Sequence, residues 1–327
     1  MKNYLNLNKK VEIFVLTYNR ESYLINCLKS LLNQTYKNLN IIVIDNKSDY
    51  DIETLIRSFN TDTIQLFINP TNVGSAESFN IALSKVSADY VMFFHDDDAL
   101  PPYFVEKQME LIRSHPETGF VCSTVNITQN PEEILNFEQD ELVDYDYFNE
   151  KGALLPCFFT HPIFGSSSIL FDSKIIKNMK SEYEIYNKVN DRAFMLRVSI
   201  QAPFIFMKNI KYNALWHSGQ DSYKRDWDFI YDINVTNLYL NTCYTYGYEK
   251  HEKQIIKMFA GYYVYSFKKP SLLSIYRNFN FYKNSNKIYF FSLLPTWLIK
   301  SKILNHLKSK HSKIYHKVLK IKNLINL

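Results

Sequence analysis

Three consecutive carboxylates, Asp96, Asp97 and Asp98, are the residues of this 327-residue chain that point most directly to chemistry. Adjacent carboxylates repel one another unless water or a cation lies between them. Oxygen ligands of this kind suit Mg²⁺ or Mn²⁺, which a protein can share with the phosphates of a substrate. The alternative is a solvated acidic turn that caps the next helix. The elements that position the three residues decide between these interpretations.

The first 125 residues predict alternating strands and helices. Five short apolar runs have the pattern of strands buried on both faces, at 12–17, 40–45, 64–68, 90–94 and 119–124. The segments between them carry apolar residues at helical spacing. Repeated βαβ units imply an α/β fold with a mainly parallel central sheet and helices on both faces. Ligands bind such sheets outside the carboxyl ends of the strands, where the three aspartates fall, and we therefore favour the metal site.

Further polar residues fall at the same edge of the predicted sheet. They are Thr17, Tyr18, Asn19, Arg20, Asp45, Asn72 and Gly74. Asp45 could accept a hydrogen bond from a base or a ribose, or it could form a turn. Asn72 and Gly74 precede a predicted helix whose backbone N–H groups could bind phosphate, although a plain loop accounts for them equally well.

The second half of the chain has a less regular pattern. Its predicted elements are an acidic loop over the sheet edge at 130–149, a strand at 165–171, a helix at 188–200, strands at 204–207 and 212–216, and a long helix at 227–246. Asp191 begins the first of these helices, where an acidic side chain is explained by the helix dipole alone. His217 follows the last strand, and a lone histidine is more often structural than a ligand.

The composition excludes several classes of protein. A chain with 46% hydrophobic residues, 7 Gly and 10 Pro is neither disordered nor collagen-like. The glycine motifs of dehydrogenases and of P-loop proteins are absent. The N-terminus lacks the apolar core of a signal peptide, and the longest late apolar run, residues 288–299, is shorter than the roughly 20 residues that span a bilayer. We therefore expect a cytoplasmic protein.

The net charge of +5 conceals a split between an acidic body and a basic tail. Residues 253–327 contain 15 Lys or Arg and no Asp or Glu, which leaves a net charge of −10 on residues 1–252. Lysines interleaved with apolar residues are typical of a helix that lies on an anionic membrane surface. The alternative is a pair of helices packed on the acidic body. No nucleic-acid-binding motif accompanies the charge, so we expect no nucleic-acid partner.

Five segments, in order, resemble the motifs of family-2 inverting glycosyltransferases with the GT-A fold. They are VEIFVLTYNR, IIVIDNKSD, NPTNVGSAESFN, DYVMFFHDDDALPP and NDRAFMLRV, and the resemblance spans about residues 10–220. It implies a Rossmann-like, GT-A-type sheet in a catalytic domain at 1–250, with a nucleotide-binding half at 10–125 and an acceptor or catalytic half at 126–250. The basic, mostly helical extension at 251–327 lies outside the resemblance.

The resemblance also implies roles for individual residues. Thr17, Tyr18 and Asp45 would line the pocket for base and ribose, with Asn19, Arg20, Asn72 and Gly74 also in the nucleotide-sugar site. Asp96 would face the ribose or the metal, and Asp97 would bind the metal, with Asp98 and His217 as further candidate ligands. Asp191 matches the general base. We place His161, Gly165 and Ser166 beside the acceptor.

Three positions depart from the family pattern. His95 stands where the commonest metal motif has Asp, Asn190 replaces the Glu before the base, and Phe79 replaces an Arg that often contacts the diphosphate. The reaction that the resemblance implies is metal-dependent transfer, with inversion, from a UDP-sugar to a glycan or lipid-linked acceptor. The basic tail would place this reaction at the inner face of a bacterial membrane. dTDP- and GDP-sugars stay open as donors. A nucleotidyltransferase and a non-catalytic membrane-bound scaffold are the alternative hypotheses.

Overall fold

The fold is a single mixed sheet with helices on both faces, as described by a computed structural model. The structure describes residues 8–138, 142–161, 165–177, 179, 182–186, 190–220, 230–252 and 254–255.

Nine strands of the described residues form the sheet, in the spatial order β3-β2-β1-β4-β8-β6-β9-β5, with β7 paired to β9. They are β1 (Val11–Thr17), β2 (Leu39–Asp45), β3 (Ile64–Ile68), β4 (Tyr90–His95), β5 (Asp98–Ala99), β6 (Phe120–Thr128), β7 (Tyr145–Phe148), β8 (Leu170–Asp172) and β9 (Phe204–Leu215). The long pairings, β3–β2, β2–β1, β1–β4 and β6–β9, are parallel. The short pairings through β8, β7 and β5 are antiparallel. The expected α/β class with a mainly parallel central sheet is confirmed.

Nine helices flank the sheet in the described part of the chain. They are α1 (Glu21–Leu32), α2 (Ile52–Ser58), α3 (Gly74–Ser84), α4 (Phe104–Ser114), α5 (Leu154–Thr160), α6 (Ser173–Ile176), α7 (Tyr183–Tyr186), α8 (Asn190–Ser199) and α9 (Ile230–Thr245). Short 3₁₀ turns occur at Pro131–Glu133, Ser166–Ser168 and Glu249–His251.

Two apolar layers bury the two faces of the sheet, because successive side chains of a strand point to opposite sides. Phe14 pairs with Ile42 and Phe93 in one row, and all three belong to the layer covered by α3, α5, α8 and α9. The neighbouring residue, Ile13, pairs with Ile41 and packs in the opposite layer, under α1 and α4. Burial on both faces explains why the parallel strands have nearly continuous apolar sequences.

The second half of the chain differs from its predicted elements in three places. The segment 130–149 is not wholly irregular, since it contains β7, which pairs with β9. The predicted strand at 165–171 is a 3₁₀ turn followed by β8, because the Ser168 hydroxyl bonds to the carbonyl of Gly165 and accepts from the N–H of Ser123. The strands predicted at 204–207 and 212–216 are one strand, β9, with a register shift opposite Ser123 and Thr124.

The predicted basic extension lies outside the described residues, except for 251, 252, 254 and 255. The long helix predicted at 227–246 is described from Ile230, and the helix predicted at 188–200 from Asn190. Within the described ranges no helix is both long enough and apolar enough to cross a membrane.

Candidate active site

Arg20 joins the first strand to the aspartates that follow β4. β1 and β4 are parallel neighbours, with Leu16 opposite His95, so the residues after both strands meet at one edge. The Arg20 guanidinium Nη1 lies 3.0 Å from Asp96 Oδ1 and 3.2 Å from Asp97 Oδ2. Its Nη2 donates to the carbonyl of Gly219 at 3.1 Å, in the loop after β9. One cation therefore holds three segments of the chain together.

The loop after β9 supplies two more partners to Asp97. His217 Nε2 lies 3.0 Å from Asp97 Oδ2, and Gln220 Nε2 donates to the same oxygen at 3.2 Å. Gln220 also donates to the carbonyl of Leu215 at 2.6 Å, which anchors the loop to the end of the strand. The His217 ring packs against Tyr23 of α1 in a tilted arrangement, with 4.6 Å between ring centroids and 48° between the ring planes.

The three aspartates are buried, with exposed fractions of 2%, 4% and 3%, so they do not form a solvated turn. Burial raises the pKa of Asp96 to about 6, and the negative charge of Asp97 adds to the shift although Arg20 opposes it. Burial likewise raises the pKa of Asp98 to about 7. The pKa of Asp97 is lowered, since His95, Arg20 and the hydrogen bonds from the β9 loop outweigh its burial.

A divalent cation fits the donor atoms at this edge of the sheet. His95, Asp97 and Asp98 each offer a ligand atom, and these atoms lie within 4.8 Å of one another. Asp98 is fixed because it pairs with Ala214 in the β5–β9 ladder, and its Oδ2 lies 3.6 Å from His95 Nδ1. Carboxylates are ligands that Mg²⁺ and Mn²⁺ accept, and the imidazole of His95 offers one nitrogen ligand beside them. The neighbouring carboxylates repel one another when no cation is bound, and a bound cation removes this repulsion.

Residues after β1 and β2 form a connected wall beside the aspartates. Thr17 Oγ1 donates to Asp96 Oδ2 at 2.7 Å. Ser48 donates from its N–H and its hydroxyl to Asp45, and it accepts from the N–H of Asn19 at 2.8 Å. These bonds tie the strand ends together, because Thr17 and Asp45 are partners in the β1–β2 register. Tyr18 is exposed, with 42% of its surface accessible.

Asn72 and Gly74 lie where the next wall begins, at the start of α3. Asn46 Nδ2 donates to Asn72 Oδ1 at 2.7 Å, and Asn72 accepts from the N–H of Gly74 at 2.9 Å. Gly74 has a φ of +82°, a conformation that favours glycine. The two residues thus join the edge formed by β1, β2 and β4.

Asp191 lies at the start of α8, exposed, and accepts a hydrogen bond from the N–H of Arg192 at 2.8 Å. Burial raises the pKa of the Tyr212 phenol, and the charges of Asp98, Asp97 and Asp191 raise it further. The charges of the candidate metal ligands and of Asp191 thus act on the same phenol. The role of Asp191 as general base stays a prediction.

The three residues expected beside the acceptor have different surroundings. His161 Nε2 lies 2.7 Å from Asp146 Oδ2 of β7, and its ring packs on Phe148 and Phe206. Gly165 and Ser166 belong to the turn that precedes β8, whose next residue, Ser167, is buried. The contacts of His161 thus link it to β7 and β9, and Gly165 and Ser166 lie in a separate turn.

Several residues of the site cannot be identified from the sequence pattern. Gln220 and Ser48 are common polar residues in loops, and only the contacts identify them as partners of Asp97 and Asp45. Tyr212 has the pattern of a core residue in an apolar strand. His95, which the sequence presents as a departure from the metal motif, is grouped with Asp97 and Asp98 by its position.

The family model for glycosyl transferase family 2 matches residues 12–178, just over half of the chain. The chain belongs to this family. The matched segment contains β1 to β8 and the three aspartates, and it ends before Asp191 and His217.

Individual relatives are similar over part of their length. An uncharacterized glycosyltransferase of Haemophilus influenzae is 37% identical over 108 residues, which are 32% of this chain and 43% of that protein. The match therefore spans less than half of that relative.

Two solved structures share the fold of this family 2 chain at low sequence identity. One is S. aureus TarS 1-349 in complex with UDP-GlcNAc, with a TM-score of 0.57 and 16% identity, covering 77% of this chain and 71% of that one. The other is the mannosyltransferase PcManGT from Pyrobaculum calidifontis in complex with GDP-Man and Mn²⁺, with a TM-score of 0.54 and 13% identity, covering 86% and 81%. Both neighbours have the GT-A architecture that the sequence motifs imply.

Proposed function

We propose that this chain transfers a sugar from a nucleotide-diphosphate sugar to a hydroxyl group, with inversion at the anomeric carbon. The observation that carries the proposal is the set of buried carboxylates, Asp96 to Asp98, held at the carboxyl ends of parallel strands in a family 2 fold. Charged groups are rarely buried without a partner, and Arg20 alone offsets only part of their charge. A divalent cation, shared with the phosphates of a donor, would supply the missing positive charge.

A UDP-sugar is the proposed donor. The wall formed by Thr17, Asp45 and Asn72 offers oxygen and amide groups for a base and a ribose, and the solved neighbour TarS binds UDP-GlcNAc. Tyr18 is exposed at the same edge and provides an aromatic face. Arg20 lies among the aspartates and offers a positive charge for the diphosphate, which offsets the loss of the family's arginine at Phe79.

Mn²⁺ or Mg²⁺ is the proposed cofactor. Asp97 and Asp98 would hold it, with His95 or His217 as a further ligand. A bound divalent cation would neutralise the charge that develops on the leaving diphosphate. Two contacts hold the proposed ligands in place. Gln220 donates a hydrogen bond to Asp97, and Asp98 pairs with Ala214 in the β5–β9 ladder.

Asp191 is the proposed general base. The acceptor oxygen forms its bond to the anomeric carbon while its proton passes to the Asp191 carboxylate. The bond from the anomeric carbon to the phosphate oxygen breaks, and its electron pair leaves with the nucleoside diphosphate. One displacement by one base, with no carboxylate nucleophile, inverts the configuration of the anomeric carbon.

The acceptor is proposed to be a glycan or a lipid-linked glycan at the inner face of a membrane. The net charge of +15 on residues 253–327 would attract an anionic leaflet. In this proposal residues 1–250 are the catalytic domain, and residues 251–327 bring it to the membrane surface where a lipid-linked acceptor would lie.

Replacement of the proposed base separates transfer from donor binding. Asp191→Asn removes the base but keeps the side-chain shape, so we expect kcat for sugar transfer to fall by roughly 10²–10⁴-fold with donor affinity unchanged. Calorimetric titration with UDP, dTDP, GDP and CDP, with and without Mn²⁺, measures the affinity. Release of nucleoside diphosphate from the matching sugar nucleotides measures turnover.

Asp51→Asn is the matched control, because Asp51 caps α2 and Asn caps helices equally well. It should leave both quantities at the wild-type level. Near-native transfer by Asp191→Asn would exclude Asp191 as the base. Release of pyrophosphate instead of nucleoside diphosphate by the wild-type protein would indicate a nucleotidyltransferase, and folded protein that binds no nucleotide would contradict the proposed function.

A further inference from the structure

β3 lies at one edge of the sheet, and among the described strands it pairs with β2 alone. Ile41 of β2 donates its N–H to the carbonyl of Thr63, just before β3 begins. The backbone groups of successive residues in a strand point to opposite sides. The odd-numbered residues of β3 therefore bond to β2, and the N–H and C=O groups of Ile64, Leu66 and Ile68 point away from it. We call that side the outer edge of β3.

The outer edge of β3 has none of the features that usually prevent strands from pairing. The strand, Ile64–Ile68, contains no charged residue and no proline. Phe67 and Ile68 are large apolar side chains with 38% and 39% of their surfaces exposed. Proteins normally protect an edge strand with lysine, proline or a bulge, because its unpaired backbone groups favour pairing with another strand. The outer edge thus has the character of a pairing surface.

This edge is complementary to itself when two copies meet in antiparallel orientation. A two-fold axis through Leu66 places the two Leu66 residues opposite each other, and Ile64 of each copy opposite Ile68 of the other. Residues that face each other in this way exchange both of their backbone hydrogen bonds. All three outward-facing residues then have partners. The next outward-facing position is Pro70, which has no N–H, so the pairing ends there.

Charged residues of α2 lie beside the same edge. Glu53, Ile56 and Arg57 line one side of a groove whose other side is formed by the outward-facing residues of β3. Glu53 and Arg57 are exposed, and Arg57 Nη2 lies 2.7 Å from Glu53 Oε2. The groove therefore carries one negative and one positive charge, one helical turn apart.

The two-fold axis brings these charges together in opposite pairs. α2 connects the end of β2 to the start of β3, so it runs antiparallel to β3 and over a similar length, about 10 Å against about 16 Å. The middle of α2 therefore lies near the axis through Leu66, and the helices of two copies run antiparallel on one face of the joined sheet. Glu53 of each copy then lies toward Arg57 of the other.

We propose that β3 and α2 form the interface of a homodimer, in which the β3 strands of two copies pair antiparallel about a two-fold axis through Leu66. The partner is a second copy because the register and the charges of this surface are both complementary to themselves. Such an interface uses the same patch on each copy and closes on itself, so it yields a dimer and no filament. The inference does not depend on the proposed function, since neither element belongs to the candidate active site.

Sedimentation equilibrium of the full chain measures the dissociation constant of the dimer. We expect the wild type to sediment with twice the mass of one chain. Ile68→Lys places a charge opposite Ile64 of the partner and should weaken self-association at least tenfold. Ile127→Lys is the matched control, because Ile127 is an isoleucine of β6 that is 55% exposed. The same charge there should leave the dissociation constant within about twofold of the wild type.

Exchange of the α2 charges tests how the two helices face each other. Glu53→Lys makes α2 positive at both positions, and Arg57→Glu makes it negative at both. Each variant alone should self-associate roughly tenfold more weakly than the wild type, because like charges then meet across the axis. An equimolar mixture of the two variants should associate as strongly as the wild type, as heterodimers, since each variant supplies the charges that the other lacks.

Three outcomes would overturn the inference, provided that the far-ultraviolet circular dichroism spectra show the variants to be folded. The first is a wild-type chain that remains a monomer at high micromolar concentration, as expected if the basic tail at 253–327 covers the outer edge. The second is a dimer that Ile68→Lys does not weaken, because its interface would lie elsewhere. The third is a mixture of the two charge variants that associates as weakly as either variant alone. Each outcome leaves the proposed function standing.

Discussion

A charged, buried Asp98 carboxylate lowers the stability of the folded protein when no cation is bound. It is 3% exposed, and burial raises its pKa from 3.8 to about 7. The folded protein therefore holds a proton on Asp98 at pH values where the unfolded chain does not. The contribution of this group to stability is present below about pH 4 and is lost as the pH rises through 7.

Asp98→Asn should therefore stabilise the metal-free protein at pH 8. The amide imitates the neutral acid, so we expect a gain on the order of 1–3 kcal/mol in the free energy of unfolding at pH 8, which disappears near pH 4. Urea unfolding in the presence of a chelator at pH 4, 6 and 8 measures the difference. The exposed Asp62→Asn is the control, and a gain of equal size at all three pH values would contradict the electrostatic explanation.

At the level of single residues, the sequence predicts the parts of the site that lie at strand ends. Thr17, Arg20, Asp96 and Asp97 meet because parallel strands place their carboxyl ends at one edge. Tyr212 could not be predicted in the same way. A tyrosine within an apolar strand has the pattern of a core residue, and only the contact with Gly165 sets its hydroxyl apart.

At the level of elements, Gly119, the residue before β6, is packed too closely to accept a side chain. Gly119 donates its N–H to the carbonyl of Pro203 and accepts from the N–H of Asp172, so it lies between β8 and β9. A Cβ atom there would lie 2.5 Å from Ala202 Cβ and 2.6 Å from Ile175 Cδ1. Ala202 has no flexible side chain that could move away, so added volume must shift the backbone.

Gly119→Ala should destabilise the fold by about 1–3 kcal/mol, the usual cost of overpacking a dense core. A domain of this size loses roughly 2–4 °C of melting temperature per kcal/mol. Thermal unfolding followed by circular dichroism measures the shift. Ser114→Ala at the end of α4, a small exposed change, should leave the melting temperature within about a degree. Equal melting temperatures for Gly119→Ala and the wild type would show that the backbone yields without cost.

Long elements are predicted better than short ones whose partners lie far along the chain. β1 to β4 have mostly apolar sequences, and the structure places them within a residue or two of the prediction. β5, β7 and β8 have only 2, 4 and 3 residues, and they pair with strands far along the chain. Too few residues carry the pattern, and serine side chains that bond to the backbone convert the start of the predicted strand at 165–171 into a turn.

At the level of the whole molecule, the separation of charge is the property that the fold does not explain. Residues 1–252 carry −10 and residues 253–327 carry +15. Two partners could neutralise the basic segment, an anionic membrane or the acidic body itself. Salt affects both, because the screening length falls from about 10 Å at 0.1 M salt to about 3 Å at 1 M. Substitutions of lysines can show which of the two partners binds the basic segment.

Replacing five lysines of the full-length chain by glutamine should weaken its binding to anionic vesicles at least tenfold, since each lysine near such a surface contributes about 1 kcal/mol. The five are Lys308, Lys310, Lys313, Lys317 and Lys320. Co-sedimentation with phosphatidylglycerol vesicles measures the binding, and phosphatidylcholine vesicles should retain neither protein.

The same number of charges removed from the body provides the control for net charge. Lys29, Lys37, Lys47, Lys85 and Lys177 are exposed, and their replacement by glutamine should leave vesicle binding within about twofold of the wild type. If both variants bound equally well while the variant in the basic segment melted at a lower temperature, the basic segment would pack on the acidic body. The membrane would then not be its partner, and a lipid-linked acceptor would lose its main support.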